Sequence, residues 1–488
     1  MKIPRILISA PSSGSGKTVI SCAIMQALTM KGYRVAACKC GPDYIDPMFH
    51  REVLGVDSEN LDLFFTEGED LQEVFASHAG NKDIAVVEGV MGFYDGMALD
   101  SWRASSYDVA RTLQAPVILV LSARGMALSA AAVIEGIARF RKDSNIRGIL
   151  LNRITAGIYP RMKDMLEKEL AKRGLSIPVL GYVPEDEAFS LESRHLGLVT
   201  PAELKGLKEE MARAGELLLE TVDLETLCAV AAQAPEIPAP EKSPEALEIP
   251  VSGKSSQESE TPVQEKFLQE GDEKILQEKR APLVAVARDE AFCFYYKENL
   301  RLLEELGCEL RYFSPLHDRE LPANAQGLIL GGGYPELYVE ALSENVSMRR
   351  SIKEAVQSGI PCLAECGGFL YLQEELKDRE DRAWRMAGVI KGSAASKGRL
   401  ARFGYVKIEG KKDGLYLKKD ENIRGHEFHY WDSTDNGADC VAVKPDGRRS
   451  WECVHMDGRL FAGFPHLYLP SNRKFAERFV EQCMKMGG

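Results

Sequence analysis

The 488-residue sequence predicts an α/β protein of two domains, each built on a mostly parallel sheet, with a linker between them. Three observations predict it. Short apolar runs alternate with helical stretches from residue 1 to about 200. The same alternation resumes near Leu283 and continues towards the C-terminus. Between them, from about 232 to 280, Pro, Glu, Ser, Gln and Lys dominate, a composition that cannot bury a core. The expected division is therefore 1–230, a disordered or loosely helical linker over 231–281, and 282–488.

The totals narrow the class. Hydrophobic content of 45% and charged content of 27% are those of a soluble globular protein, and no apolar run reaches membrane-spanning length. Met1-Lys2-Ile3-Pro4 enters the first strand without a signal-peptide layout, so a cytoplasmic protein with no membrane partner is expected. A net charge of −12 argues against nucleic acid as the main partner. The eleven cysteines are scattered without a CxxC pair, which favours reduced thiols over a zinc site or a disulfide framework. Cys38 and Cys40, one residue apart on an expected strand, share a face. The oligomeric state is not written in the sequence.

In the first domain, strands are expected at Arg5–Ser9, Arg34–Lys39, Ile84–Glu88, Pro116–Leu121, Gly148–Leu151 and Val179–Tyr182, with ligands at their carboxyl ends. The first strand runs into Ser13-Gly14-Ser15-Gly16-Lys17-Thr18 and then a helical stretch, Val19 to Met30. Strand, Gly-rich turn, Lys-Thr and helix is the order of a phosphate-binding loop. Its N–H groups and the helix N-terminus cradle phosphates, Lys17 reaches the outer ones, and the Thr18 hydroxyl suits Mg²⁺. Pro11 stands where that motif usually opens with Gly.

The second strand leads into Gly41-Pro42-Asp43-Tyr44-Ile45-Asp46-Pro47, where two acids in a proline-stiffened turn suit Mg²⁺ or a reacting group; a solvated polar turn is the plainer reading. Glu88, closing the third expected strand, takes the place of the acid that orients Mg²⁺ on a nucleotide, and Asp95 follows in a Gly-flanked loop. Asn152 ends another strand within reach of a nucleobase, and Arg194-His195 reads equally as an anion contact or a surface pair.

In the second domain, strands are expected at Leu283–Ala287 and Glu309–Phe313, with a helix over Glu298–Leu306 between them. An apolar run then enters Gly331-Gly332-Gly333, a turn whose N–H groups could face an oxyanion. Later, Pro361 to Glu365 forms a strand that ends at Cys366, and Gly367-Gly368 opens a helix. This is a nucleophile-elbow layout, in which the helix N-terminus is expected to lower the thiol pKa. Cys362, on the strand itself, reads as structural. The histidine that a cysteine nucleophile needs is one of His426, His429, His455 and His466, and spacing does not choose among them.

These motifs, in this order and with Gly181-Tyr182-Val183-Pro184, Glu365-Cys366-Gly367-Gly368 and Gly425-His426-Glu427-Phe428-His429 among them, resemble the cobyrinic acid a,c-diamide synthase family over nearly the whole chain outside the linker. The resemblance implies an N-terminal domain similar to dethiobiotin synthetase, and a C-terminal class I glutamine amidotransferase of the cobyric acid synthase type. It implies amidation of two carboxylates of a corrinoid through an acyl phosphate, with Mg²⁺ as cofactor and ATP and glutamine as co-substrates. It assigns Cys366 as nucleophile, His466 as its partner, and Gly332 and Gly333 as oxyanion hole. Ser13 to Thr18 and Asn152 would bind nucleotide, Asp43, Tyr44, Asp46 and Asp95 would face substrate, and Thr18, Asp43 and Glu88 would hold Mg²⁺. The Glu of the usual triad belongs two residues after the histidine; Tyr468 stands there, so a Cys-His dyad is expected. Hydrogenobyrinic acid and nickel-sirohydrochlorin are alternative substrates. A P-loop switch ATPase acting through partners is the alternative outside enzymology, disfavoured by the intact Cys366 and His466.

Overall fold

The computed structural model describes residues 1–190, 201–239 and 281–486, with no account of the side chains of 201–203. The Arg194-His195 stretch and the segment 240–280 lie outside the described residues.

In the first domain β1 (Arg5–Ser9), β2 (Val35–Cys40), β3 (Ser58–Leu61), β4 (Ile84–Glu88), β5 (Val117–Ser122), β6 (Ile146–Asn152) and β7 (Val179–Val183) form one sheet in the order β3-β2-β4-β1-β5-β6-β7. Every pairing is parallel. Helices cover both faces, because parallel strands joined by helical crossovers are apolar on both sides. The expected strands are present within one or two residues of their predicted ends, and β3 is an addition. Its sequence, Ser-Glu-Asn-Leu, offers a single apolar side chain, so no periodicity announced it. Cys38 and Cys40 both enter the same core face. Packing also continues beyond the expected end at 230. Ile237 is buried, its carbonyl accepts from the Met1 ammonium, and the buried Arg5 guanidinium donates to the Pro235 carbonyl.

The second domain is built on a six-stranded sheet, in the order Glu309–Phe313, Leu283–Ala287, Gly327–Leu330, Cys362–Glu365, Leu460–Gly463, His455–Asp457. The last pairing is antiparallel and the others parallel. Against it stands an antiparallel sheet of Ser450–Cys453, Cys440–Val443, Arg402–Gly410, Asn422–His429 and His466–Leu467. One face of that sheet (Val406, Ile408, Ile423, Ala442) is core. The other turns towards the first domain.

The domains meet through an aromatic cluster: Tyr44, Phe64 and Phe65 from the first, Tyr296 and Tyr468 from the second, with Phe294 and Tyr405 packed on it. Polar contacts surround it. Tyr405 donates to Asp62 Oδ2 at 2.8 Å, Lys297 pairs with Asp57 at 2.8 Å, and Arg424 donates to the Phe64 and Phe65 carbonyls at 3.1 Å. Cores that share buried aromatics in this way dock as one unit.

Candidate active site

At the carboxyl end of β1 the chain turns through Gly14 and Gly16, at φ 73° and 86°, conformations that glycine adopts without strain. Helix Lys17–Met30 starts there, so its free N–H groups face the loop. The loop is braced from within: Ser15 Oγ donates to the Ser12 carbonyl at 2.9 Å and Lys17 Nζ to the same carbonyl at 3.0 Å. Ser13 is exposed at its tip. A cavity of about 580 Å³ opens beside it, lined by Gly14, Gly16, Asn152, Arg124 and Arg153 among others. Asn152 is nevertheless partly committed, its amide donating to the Ser15 carbonyl at 2.9 Å. This supports the loop backbone directly.

Below the loop lies a buried charge network. Thr18 Oγ1 donates to Glu88 Oε1 at 2.5 Å. Lys39 Nζ bridges Glu88 Oε1 at 2.7 Å and Asp46 Oδ2 at 2.6 Å, and His50 Nε2 lies 3.3 Å from Glu88 Oε2. Glu88 has no exposure. Burial opposes its charge, but Lys39 and His50 outweigh that and hold its carboxyl well below the usual carboxylate range. Asp46 goes the other way: burial and the Glu88 charge raise it to about 7, against Lys39. Asp43 accepts from the Ile45 N–H at 2.8 Å and so shapes its own turn, and Asp95 Oδ2 accepts from the Gly92 N–H at 2.9 Å. Lys39 and His50 had carried no role in the sequence reading. The available signal was a lysine two residues before Gly41 on a strand buried on both faces, where a cation needs a partner.

No three His, Cys, Asp or Glu side chains among the described residues cluster as a metal site. A hydroxyl and one carboxylate still suit Mg²⁺, which commonly keeps waters and takes its other ligands from substrate phosphates, and Thr18 and Glu88 supply that pair.

The second centre is at Cys366, which closes the strand Cys362–Glu365 at φ 47°, a strained value for a residue with a side chain. Its N–H donates to the Gly463 carbonyl at 2.8 Å and the Gly368 N–H to the Gly331 carbonyl at 2.9 Å, which fixes the turn. Gly332 and Gly333 run alongside. A Cβ on Gly367 would come within 3.0 Å of the Gly333 nitrogen, and one on Gly332 within 2.3 Å of His466 Cε1. The diglycine backbone therefore packs against both the elbow and the His466 ring.

The geometry also sorts the histidines. His466 faces that backbone; its cross-strand partner His426 stacks on it at 5.1 Å. His429 stacks on Phe464 at 3.8 Å and bonds the Trp431 carbonyl, a packing role. His455 sits on the edge strand of the parallel sheet. Tyr468 stacks on Phe65 at 4.8 Å instead of addressing His466, whose Nδ1 has no hydrogen-bond partner among the described residues.

One expectation is corrected. The Cys366 thiol is pushed up, not down: burial dominates, the Glu336 carboxyl adds to it, and the six-residue helix Gly367–Leu372 returns only a backbone hydrogen bond from Gly367. His466 is held well below its usual pKa by burial, with His426 adding, and burial lowers His426 to about 3. Burial thus favours the neutral thiol of Cys366 and the neutral imidazole of His466.

Tyr44 joins the two centres. Its ring stacks on Phe294 at 5.1 Å and lies 5.3 Å from His466 and 4.5 Å from Tyr296. Asp43 and Asp46, on either side of it in sequence, belong to the first centre. The sequence placed Tyr44 on the substrate loop. That it reaches the other domain's histidines is a tertiary fact with no local signal.

A nucleotide-binding loop over a buried acid, joined through one interface to a Cys-His elbow with a diglycine backbone, defines a nucleotide-dependent ligase fused to a glutamine amidotransferase. Comparisons agree: the model of the CobQ/CobB/MinD/ParA nucleotide binding domain matches residues 6–199, and that of the CobB/CobQ-like glutamine amidotransferase domain matches residues 283–474. The chain is 38% identical to the cobyrinate a,c-diamide synthase of Caldanaerobacter subterraneus subsp. tengcongensis, over 99% of this chain and 98% of that one. It is 37% identical to that of Clostridium tetani (98% and 99% covered) and 35% identical to that of Priestia megaterium (98% and 97%). The chain belongs to the cobyrinate a,c-diamide synthase family.

Proposed function

We propose that this enzyme amidates the a and c carboxylates of cobyrinic acid in the cytoplasm, using ATP and glutamine. The observation that carries the reading beyond family membership is the seat of Tyr44, on the loop of Asp43 and Asp46 yet packed against His466. A carboxylate is a poor acyl donor, so the first domain transfers the γ-phosphoryl of ATP to it. Ser13 to Thr18 cradle the phosphates and Lys17 balances their charge. Mg²⁺ held by Thr18 and Glu88 would neutralise phosphate charge; Asp43 is a further candidate ligand. Asp46, paired with Lys39 and through it with Glu88, ties this loop to the acid under the phosphates.

In the second domain the neutral His466 takes the Cys366 proton as sulfur attacks the glutamine amide carbon. The Gly332 and Gly333 backbone meets the developing oxyanion. Collapse to the thioester expels ammonia, and water then releases glutamate. Ammonia is a nucleophile only while unprotonated. The buried aromatics around Tyr44 pack between His466 and the Asp43–Asp46 loop and so keep bulk water from the stretch that ammonia must cross.

The test is product analysis by mass spectrometry with cobyrinic acid, ATP, Mg²⁺ and glutamine, with Cys366→Ala alongside. The expected result is a diamide from the wild type, and from the variant only when ammonium replaces glutamine. Glutamine hydrolysis with no change in cobyrinic acid would refute the substrate, and hydrogenobyrinic acid and nickel-sirohydrochlorin would be tried next.

A further inference from the structure

The antiparallel sheet of the second domain carries one row of rings on its outward face. Register puts His466 beside His426, His426 opposite Tyr405, and Phe428 opposite Phe403. Strand alternation keeps all five on one side. Burial changes along the row: His466 and His426 are buried, whereas Phe428 and Tyr430 are 45% exposed and Phe403 58%. The exposed rings form an ordered group, with Phe403 and Phe428 5.7 Å apart at 73° and Phe428 and Tyr430 5.8 Å apart at 88°. An apolar group of this kind on a soluble protein marks something that binds.

Its position says what. Tyr405, two residues and about 7 Å along the strand from Phe403, donates to Asp62 just beyond the carboxyl end of β3. A Cβ on Gly41, which opens the Asp43–Asp46 loop, would lie 3.7 Å from the Tyr405 hydroxyl. The shelf thus continues the domain interface outward from the strand ends where the carboxylate is activated. Opposite, the loop after Asp95 presents the fully exposed Leu99 and the neighbouring Asp100, which Arg448 of the second domain approaches at 3.9 Å. Arg399, exposed four residues ahead of Phe403, and the exposed Arg448, which faces Asp100, carry positive charge on the elements that flank the strand.

We propose that this shelf seats the substrate macrocycle: an apolar part of the ring packs against the edge-to-face cluster of Phe403, Phe428 and Tyr430, and its peripheral carboxylates meet Arg399 and Arg448. An exposed aromatic cluster with cations on neighbouring elements complements a conjugated ring edged by carboxylates. The seat explains how one loop serves two carboxylates, since apolar contact is non-directional and the ring can turn on it. A second copy of the chain is the competing occupant, and sedimentation distinguishes it.

This inference rests on the corrinoid reading above, and the test separates the two. Phe403→Ala/Phe428→Ala, Phe403→Tyr and Arg399→Glu are compared with wild type in equilibrium binding of cobyrinic acid without ATP, in KM for each substrate, and in sedimentation. The double variant is expected to weaken cobyrinic acid binding and raise its KM at least tenfold. KM for ATP and glutamine should stay within twofold, and Phe403→Tyr should resemble wild type. Arg399→Glu, at an exposed position, should weaken corrinoid binding in a salt-dependent way even if the double variant folds poorly. A wild type that amidates cobyrinic acid, with variants that bind it unchanged, overturns the seat alone, as does a variant that changes mass in sedimentation while binding normally. A wild type that binds no corrinoid overturns both readings.

Discussion

Replacing Lys39 by Met should unlatch the first domain's centre, and its cost follows from the contacts. Lys39 Nζ lies 2.6 Å from Asp46 Oδ2 and 2.7 Å from Glu88 Oε1, and all three side chains are at most 5% exposed. Removing the cation leaves two buried carboxylates facing one another with only His50 to offset them. Breaking a buried ion pair from one side costs about 3–5 kcal/mol, and each ~1.4 kcal/mol is tenfold in an equilibrium constant. Amide hydrogen exchange over residues 35–52 should therefore accelerate by roughly two to four orders of magnitude. The pH dependence has a definite sign. With Lys39 present, Glu88 is held below its unfolded value and stabilises the fold while ionised. Asp46 is already raised to about 7. Without Lys39 it rises further and Glu88 loses the charge that held it down, so the native state holds protons that the unfolded chain has lost, and stability falls as pH rises. The loss of protection should be larger at pH 8 than at pH 6, after correction for intrinsic exchange, and Glu88→Gln in the Lys39→Met background should recover part of it. Protection within tenfold of wild type at both pH values would refute the argument.

Other outcomes follow from the second centre. Gly332→Ala would place a methyl 2.3 Å from His466 Cε1, so glutamine-dependent synthesis should fall by about a hundredfold or more, since small displacements of reacting groups cost that much, while ammonium-dependent synthesis persists. Tyr44→Ala opens the cover over a buried Cys366, so iodoacetamide should label that thiol severalfold faster than in wild type, as peptide mapping would register. Because burial keeps His466 and His426 neutral well below pH 6.5, the glutaminase kcat/KM should hold level from pH 7.5 down to 5.5; a decline centred near 6.5 would contradict the buried-imidazole picture.

What the sequence disclosed was local. Ser13 to Thr18 and Cys366-Gly367-Gly368 are short stretches whose chemistry and backbone conformation are set within a few residues, and each sits where it was expected. What it withheld was tertiary. The charge state of Cys366 depends on how deeply other elements bury it, and the expected lowering became a rise. Spacing did not separate the four histidines, and what distinguishes His466 in the structure, its pairing with His426, is a long-range register. The five-stranded antiparallel sheet went unread because its strands mix rings, charges and glycines. Only one of its faces is core, while the other is shared between the domain interface and solvent. Lys39 was visible but unassigned, since its partners Asp46 and Glu88 come from other elements.

The interlocking of Tyr44, Phe65, Tyr296 and Tyr468 bears on the chain's own continuity. The relative placement of the centres is set by surfaces that recognise each other, with Lys297 to Asp57 and Arg424 to the Phe64 and Phe65 carbonyls as fasteners. Residues 240 to 280 join the two halves in sequence. The two halves expressed as separate polypeptides, divided within that stretch, would then find the same register on mixing. Glutamine-dependent activity would return in proportion to their concentration, as for a heterodimer encoded by two genes.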